Sequence, residues 1–214
     1  NKNLQQSDIP WRHYYTDSMF KDLDTIYDVY KQLVPLHEEI ASNPIEYNLK
    51  RKKDTITDNY HSCEIDINVS LANEHKVLKD LVTYFSNTGR KYLEKIGNID
   101  LAGHFLRVQL IRDINGYEIV PHTDTENKRA TILCHMTNLK DKGTQLMNNR
   151  MEIIKRSPSY KNNALVFFPN YSNFIKTYHG FIDTAIDDYR DVLMINYFKT
   201  DDVVTENGLW KIPL

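Results

Sequence analysis

The chain is poor in the residues that staple, punctuate or span. Two cysteines, Cys63 and Cys134, stand in 214 residues. That is too few for a disulfide framework, and their spacing is not that of a CxxC pair. They read as reduced, buried thiols of an intracellular protein. Seven glycines and seven prolines leave no Pro/Gly-rich linker, repeat or low-complexity tract, so residues 1–214 read as a single domain. No apolar run approaches the roughly 18 residues of a membrane span. The polar start Asn1-Lys2-Asn3-Leu4-Gln5-Gln6 has no secretory h-region. The expectation is a cytoplasmic protein with no membrane partner. Charge of one sign is also lacking: 27 Lys and Arg face 29 acidic residues, a net charge of -2. A nucleic-acid partner, which calls for a basic face, is therefore not expected. The one basic run, Lys50-Arg51-Lys52-Lys53, is followed by Asp54 and Asp58 and reads as a solvated loop.

What is present divides at about residue 100. Residues 1–100 read as mostly helical support. From Met19 the residues Phe20, Leu23, Ile26, Tyr27, Tyr30 and Leu33 recur at three and four up to Pro35, the spacing of one helix face. A second helix is predicted from about Asn73, with Val77, Leu78, Leu81, Val82 and Phe85 on one side. It continues or restarts through Tyr92, Leu93 and Ile96 before Gly97. Over residues 101–200 the pattern becomes short runs rich in β-branched and aromatic residues: "HFLRVQLIRD", "YEIVPHTD", "RATILCHMT", "GTQLM", "ALVFFP", "TYHGFI" and "RDVLMINYF". About seven short strands after helices predict a β-sandwich or barrel backed by helices, a jelly roll being one solution.

His122 and Asp124 lie two apart in "PHTD", so in an extended segment their side chains share a face. Alone the pair is a weak signal, because strands carry His-x-Asp by accident. His179, in "TYHGF" at the far end of the strand region, is a third metal-capable side chain that a strand pair folding back can bring alongside. Two imidazoles and one carboxylate make the facial triad of non-haem Fe(II) oxygenases, which leaves positions open for cosubstrate and O2. Arg190, eleven positions after His179, opens the last strand; its planar fork suits a carboxylate. The competing reading is a strand-entrance arginine paired with Asp187, Asp188 or Asp191. His13, His37, His61, His75 and His104 have no partner pattern and read as structural. Cys134 reads as packing, and His135, pointing the opposite way on the same strand, is not counted as a ligand. Candidates for touching substrate are Tyr117, Glu118, Thr123, Arg129 and the loop 171–178, which is long enough for a lid. Arg129 reads equally well as a turn residue in solvent. Two other classes compete: a metal-dependent jelly-roll enzyme without a keto-acid cosubstrate, such as a Zn hydrolase, and a non-catalytic jelly-roll binding module.

"LIRDINGYEIVPHTD", "GTQL", "NNALVFFPN", "YHGF" and "YRDVLMINYF", in that order, resemble the Fe(II)/2-oxoglutarate-dependent dioxygenase superfamily, and within it the prolyl-4-hydroxylase-like group. The resemblance covers residues 104–198. It implies an α+β, mainly β fold: a double-stranded β-helix (jelly roll) with supporting N-terminal helices. It also implies an oxidoreductase, with His122, Asp124 and His179 ligating Fe(II) and Arg190 holding the distal carboxylate of 2-oxoglutarate. Together with O2 these would hydroxylate a C–H bond of a small-molecule or peptide substrate and release succinate and CO2. Three positions depart from the pattern. Many members carry a hydroxyl residue two after the arginine, where this chain has Val192. A tyrosine often assists from the strand before His-x-Asp, where this chain reads Ile111-Arg112-Asp113. Nucleic-acid demethylases carry a second arginine where Asn196 stands. The cosubstrate's second hydrogen-bond partner is thus unassigned by the resemblance.

Overall fold

The computed structural model describes residues 4–42, 61–169, 175–182, 186, 189–201 and 208–213. Two antiparallel sheets carry the chain. The larger is built from β1 (Gln5–Ser7), β2 (His13–Thr16), β3 (Ser62–Asp66), β4 (Phe105–Ile114), β6 (Lys128–His135), β9 (Ala164–Phe167), β11 (Tyr189–Phe198) and β12 (Leu209–Lys211). Its order is β1-β2-β9-β6-β11-β4-β12, with β3 also pairing on β4. The smaller sheet contains β5 (Ile119–His122), β7 (Gln145–Met147), β8 (Ile153–Arg156) and β10 (His179–Phe181), in the order β5-β10-β7-β8. From β4 to β11 the chain passes back and forth between the sheets, only β7 and β8 staying in the same one. This mostly antiparallel β architecture with few helices fits the jelly-roll expectation.

The helices are α1 (Leu23–Leu33), α2 (His37–Ser42), α3 (Val69–Glu74), α4 (Lys76–Ser86) and α5 (Thr88–Gly97). The first starts later than the apolar spacing predicts because the Asp22 carboxylate accepts the Thr25 backbone N–H at 3.2 Å. That N-cap fixes where the helix can begin. The main core lies between this layer and one face of the large sheet. Leu23, Ile26 and Tyr30 of α1, Leu78, Leu81, Val82 and Phe85 of α4, and Leu93 of α5 pack on Leu106, Val108, Leu110, Ala130, Ile132, Cys134, Leu193, Ile195 and Tyr197. Tyr197 Oη donates to the Phe85 carbonyl (2.6 Å) and Tyr14 Oη to that of Ile96 (3.0 Å), so the phenols that reach the helices also satisfy helix-end carbonyls. Cys63 and Cys134 are both buried, and neither is in a disulfide.

The face opposite the helices looks toward the small sheet. A strand's side chains alternate, so once Ile132 and Cys134 are committed to the helices, Thr131, Leu133 and His135 must face between the sheets. Leu133 accordingly packs with Trp11, Leu146, Leu165 and Phe167.

Strands β1, β2 and β3 all come from the first hundred residues. They extend the large sheet, which the helical reading of that region did not foresee. Each has five residues or fewer, too short to show a period of two against its neighbours.

Candidate active site

The small sheet brings two distant histidines into register. His179 on β10 is the cross-strand partner of His122 on β5, and their ring centroids are 4.4 Å apart. Gly180 makes this approach possible: a Cβ there would stand 2.8 Å from the Ile119 carbonyl oxygen on β5. Asp124, two residues past His122, completes the group. One ligand-capable atom from each of His122, Asp124 and His179 lies within 4.8 Å of the others. Among the described residues this is the one such cluster of three or more.

Each side chain is oriented by its neighbours. His122 Nδ1 is 2.9 Å from the Val120 carbonyl oxygen, and His179 Nδ1 is 2.9 Å from that of Thr177. A carbonyl can only accept, so each Nδ1 must carry the proton. Each Nε2 then presents a lone pair, the form in which imidazole binds a metal. Phe167 packs against the His179 ring at 4.9 Å. Burial holds the His179 imidazole neutral, with its pKa lowered to about 4. Asp124 Oδ1 accepts from Lys128 Nζ at 2.6 Å, while Oδ2 is buried without a hydrogen-bond partner among the described residues and lies 3.9 Å from His179 Nε2. Burial works against the Asp124 charge, but the Lys128 ammonium and the two imidazoles outweigh it, and its pKa falls below the ordinary carboxylate value. An unsatisfied carboxylate oxygen beside two unprotonated ring nitrogens is costly in a buried site. A divalent cation is the partner that would complete all three at once, so the donor set fits such an ion.

Arg190 lies in the same space between the sheets. It shares β10's neighbourhood through Phe181, whose ring centroid is 4.1 Å from the guanidinium carbon; the Tyr117 ring lies 5.2 Å from it. Phe181 follows His179 by two on the strand, about 7 Å of rise, so the guanidinium lies beside the side-chain row next to that of His179. Its acid partner is not one of the neighbours the sequence suggested. Arg190 Nε and Nη2 donate to Asp113 Oδ2 (2.8 and 2.6 Å), Arg190 and Asp113 being directly paired across β4 and β11. Ser62 Oγ donates to the other Asp113 oxygen at 2.7 Å. Asp191 belongs instead to Arg112, and Asp187 and Asp188 lie outside the described residues.

The other candidates fall in different places. Tyr117 is buried against Phe181 and Arg190, in the wall around the cation. Arg129 is half-buried at the start of β6, its Nε unpartnered among the described residues. Glu118 is exposed and Thr123 half-buried on either side of β5. Of the loop 171–178, residues 171–174 lie outside the described residues. Beyond them the chain is tied down: Lys176 N–H donates to Asn149 Oδ1 (3.0 Å) and the Tyr178 carbonyl accepts from Trp11 Nε1 (3.2 Å) and Met147 N–H (2.9 Å). His135 points the opposite way from Cys134, as the sequence reading has it, but that reading gives it no role. It is Cys134 that packs on the helices, and the His135 ring projects between the sheets beside Arg190. The signal was available in the parity of β6: Ala130, Ile132, Cys134 and Met136 are apolar throughout, whereas the alternate set contains Thr131 and His135.

No protein-family model and no curated protein matches this sequence. Solved structures do match its shape. The dioxygenase for auxin oxidation 1 of Arabidopsis thaliana, as its 2-oxoglutarate complex, superposes with TM-score 0.58 at 10% identity over 91% of this chain and 85% of that one. A Trichoplax adhaerens prolyl hydroxylase bound to a hypoxia-inducible-factor peptide gives 0.55 at 11% identity, over 87% and 83%. The viral collagen prolyl hydroxylase of Paramecium bursaria Chlorella virus-1, as its 2-oxoglutarate complex, gives 0.51 at 13% identity, over 88% and 96%. The chain therefore has the fold of 2-oxoglutarate/Fe(II) oxygenases, prolyl hydroxylases among them; identities this low establish the fold alone.

Proposed function

We propose that this protein is an Fe(II)- and 2-oxoglutarate-dependent dioxygenase, an oxidoreductase that hydroxylates a C–H bond of a small-molecule or peptide substrate and releases succinate and CO2. The observation that carries the reading is the convergence of two metal-ready Nε2 atoms and an orphaned carboxylate oxygen one side-chain row from a buried guanidinium. A hydrolytic zinc site needs the first half of that arrangement and has no use for the second. The alternation of β4–β11 between two facing sheets supports the finer description of the fold as a double-stranded β-helix, with residues 1–214 as one domain.

His122, Asp124 and His179 would hold the iron, which supplies O2 activation coupled to oxidative decarboxylation of the keto acid. The chain's own residues perform the rest. Backbone carbonyls of Val120 and Thr177 keep both imidazoles in the ligating tautomer. Lys128 occupies Asp124 Oδ1 and so leaves a single oxygen for the metal. Arg190 receives the cosubstrate's distal carboxylate; the Asp113 pair engages two of its five N–H donors and fixes the plane of the fork. Phe181 and Tyr117 wall that end with apolar surface, which excludes water and strengthens the charge contact. The substrate would approach from the triad side, where Arg129 is a candidate contact.

The test is O2-dependent formation of succinate from 2-oxoglutarate with Fe(II), using peptide and metabolite pools as substrates. Wild type should turn over, His122→Ala should not, and Arg190→Ala should require sharply more cosubstrate. Activity with Zn(II) in the absence of O2 would replace this reading with a hydrolase.

A further inference from the structure

His135 is buried to 1% exposure, and neither ring nitrogen has a hydrogen-bond partner among the described residues. Two unsatisfied polar atoms on one buried ring are unusual and costly. Nothing in the packing demands an imidazole there, since its strand neighbours on the same face include Leu133. The ring projects between the sheets, close enough to Arg190 for the guanidinium to disfavour its protonation. It therefore stands neutral, with one N–H to donate. Its cross-strand partner is Val192, two residues from Arg190 on the same face of β11. Val192 offers no donor, whereas Arg190 and His135 are both donors facing this corner of the inter-sheet space.

We propose that His135 is the second anchor of the dicarboxylate cosubstrate, donating a ring N–H to the carboxylate that Arg190 also binds. The inference rests on the 2-oxoglutarate reading and adds to it the partner that Val192 and the Ile111-Arg112-Asp113 stretch do not provide. The ring N–H then has its acceptor in a carboxylate oxygen of the ligand. His135 is a positioning residue: it touches the non-reacting end of the keto acid and fixes where the reacting end falls.

The experiment measures keto-acid binding to the Mn(II)-loaded protein, calorimetrically and without turnover, for wild type, His135→Leu and His135→Asn. 2-Oxoglutarate is compared with 2-oxobutyrate, which keeps the keto-acid head and lacks the distal carboxylate. His135→Leu should weaken 2-oxoglutarate roughly ten- to hundredfold, the loss expected for one hydrogen bond to a charged group. It should leave 2-oxobutyrate and Mn(II) affinities unchanged, and His135→Asn should recover part of the loss. In the absence of ligand His135→Leu should melt no lower than wild type, because it replaces unsatisfied polar atoms by apolar ones. Equal weakening of both keto acids would mean a packing role, and no weakening of either would mean that water or nothing completes the ring; each outcome overturns the inference while the dioxygenase reading survives. Failure of the wild type to bind 2-oxoglutarate would overturn both.

Discussion

Strands β4 and β11 carry two arginine–aspartate pairs side by side, in opposite senses. Arg112 pairs with Asp191, and one residue along Asp113 pairs with Arg190. Because successive side chains alternate, the first pair points to the helices and the second between the sheets. The helix-side pair is saturated. Arg112 Nε and Nη2 each reach an Asp191 oxygen at 2.7 Å, Nη1 reaches the Pro35 carbonyl at 2.8 Å, and the hydroxyls of Tyr27 and Tyr30 both lie 2.9 Å from Asp191. The inner pair has Ser62 on its acid and aromatic faces on its base, with an unsatisfied imidazole next to it. Chemically the pairs are alike; what differs is completeness. A buried charge pair whose surroundings satisfy every donor serves the fold, and one left beside orphaned donors is set up for an incoming anion.

Breaking the saturated pair should have the largest effect. Arg112→Met strands Asp191 in the core and is expected to cost about 3–5 kcal/mol, read as a lowered urea midpoint. Retention of the midpoint would show that the helix-side network adds nothing net. Arg190→Met should act on the other axis, weakening 2-oxoglutarate binding to the Mn(II) protein by about a hundredfold, some 2.7 kcal/mol, with Mn(II) affinity unchanged. A variant that loses the metal as well would merge the two roles that the comparison separates. Tyr30→Phe, which removes a hydroxyl from Asp191 and from the Ile111 carbonyl (2.6 Å), is expected to cost about 1–2 kcal/mol and leave cosubstrate affinity alone.

The smallest effect is acidic. Burial, aided by Arg190, depresses the His135 pKa to about 3. Unfolded His135 binds a proton near pH 6.5 that the folded ring refuses, so this group's contribution is complete above pH 6.5 and is lost as pH falls toward 3. The charged group that acts on the ring is Arg190, itself paired with Asp113. His135→Leu should therefore flatten the acid slope of stability by no more than about 1.4 kcal/mol per pH unit, measured by urea unfolding between pH 6 and 4. An unchanged slope would place the ring in contact with solvent.

The grouping of His122, Asp124 and His179 was legible because its signal is local in kind: a His-x-Asp pair, whose Asp124 falls just past the end of β5, and a later histidine that a returning strand can bring alongside. Seven strands of 101–200 were legible as short runs rich in β-branched and aromatic residues, and α1 and α4 through recurrence at three and four. Pairing was not. Asp113 is 77 residues from Arg190, and only the register of β4 against β11 makes them neighbours, so the sequence pointed to acids nearby instead. His135 was passed over through a choice of phase. Alternation says that Cys134 and His135 face opposite ways without saying which way the helices lie, and the wholly apolar parity of β6 was the clue to it. β1, β2, β3, β8 and β12 have no more than five residues each, and they take their conformation from the edges on which they dock.

The pairing of β5 with β10 is short, and its register shifts between His179 and Phe181. An ion seated between His122 and His179 would rivet that seam, tying strands that otherwise hold by a few backbone bonds. Occupancy would then be readable in the backbone itself: chelation should speed amide exchange at Ile119–His122 and His179–Phe181 before it disturbs the helix-backed sheet.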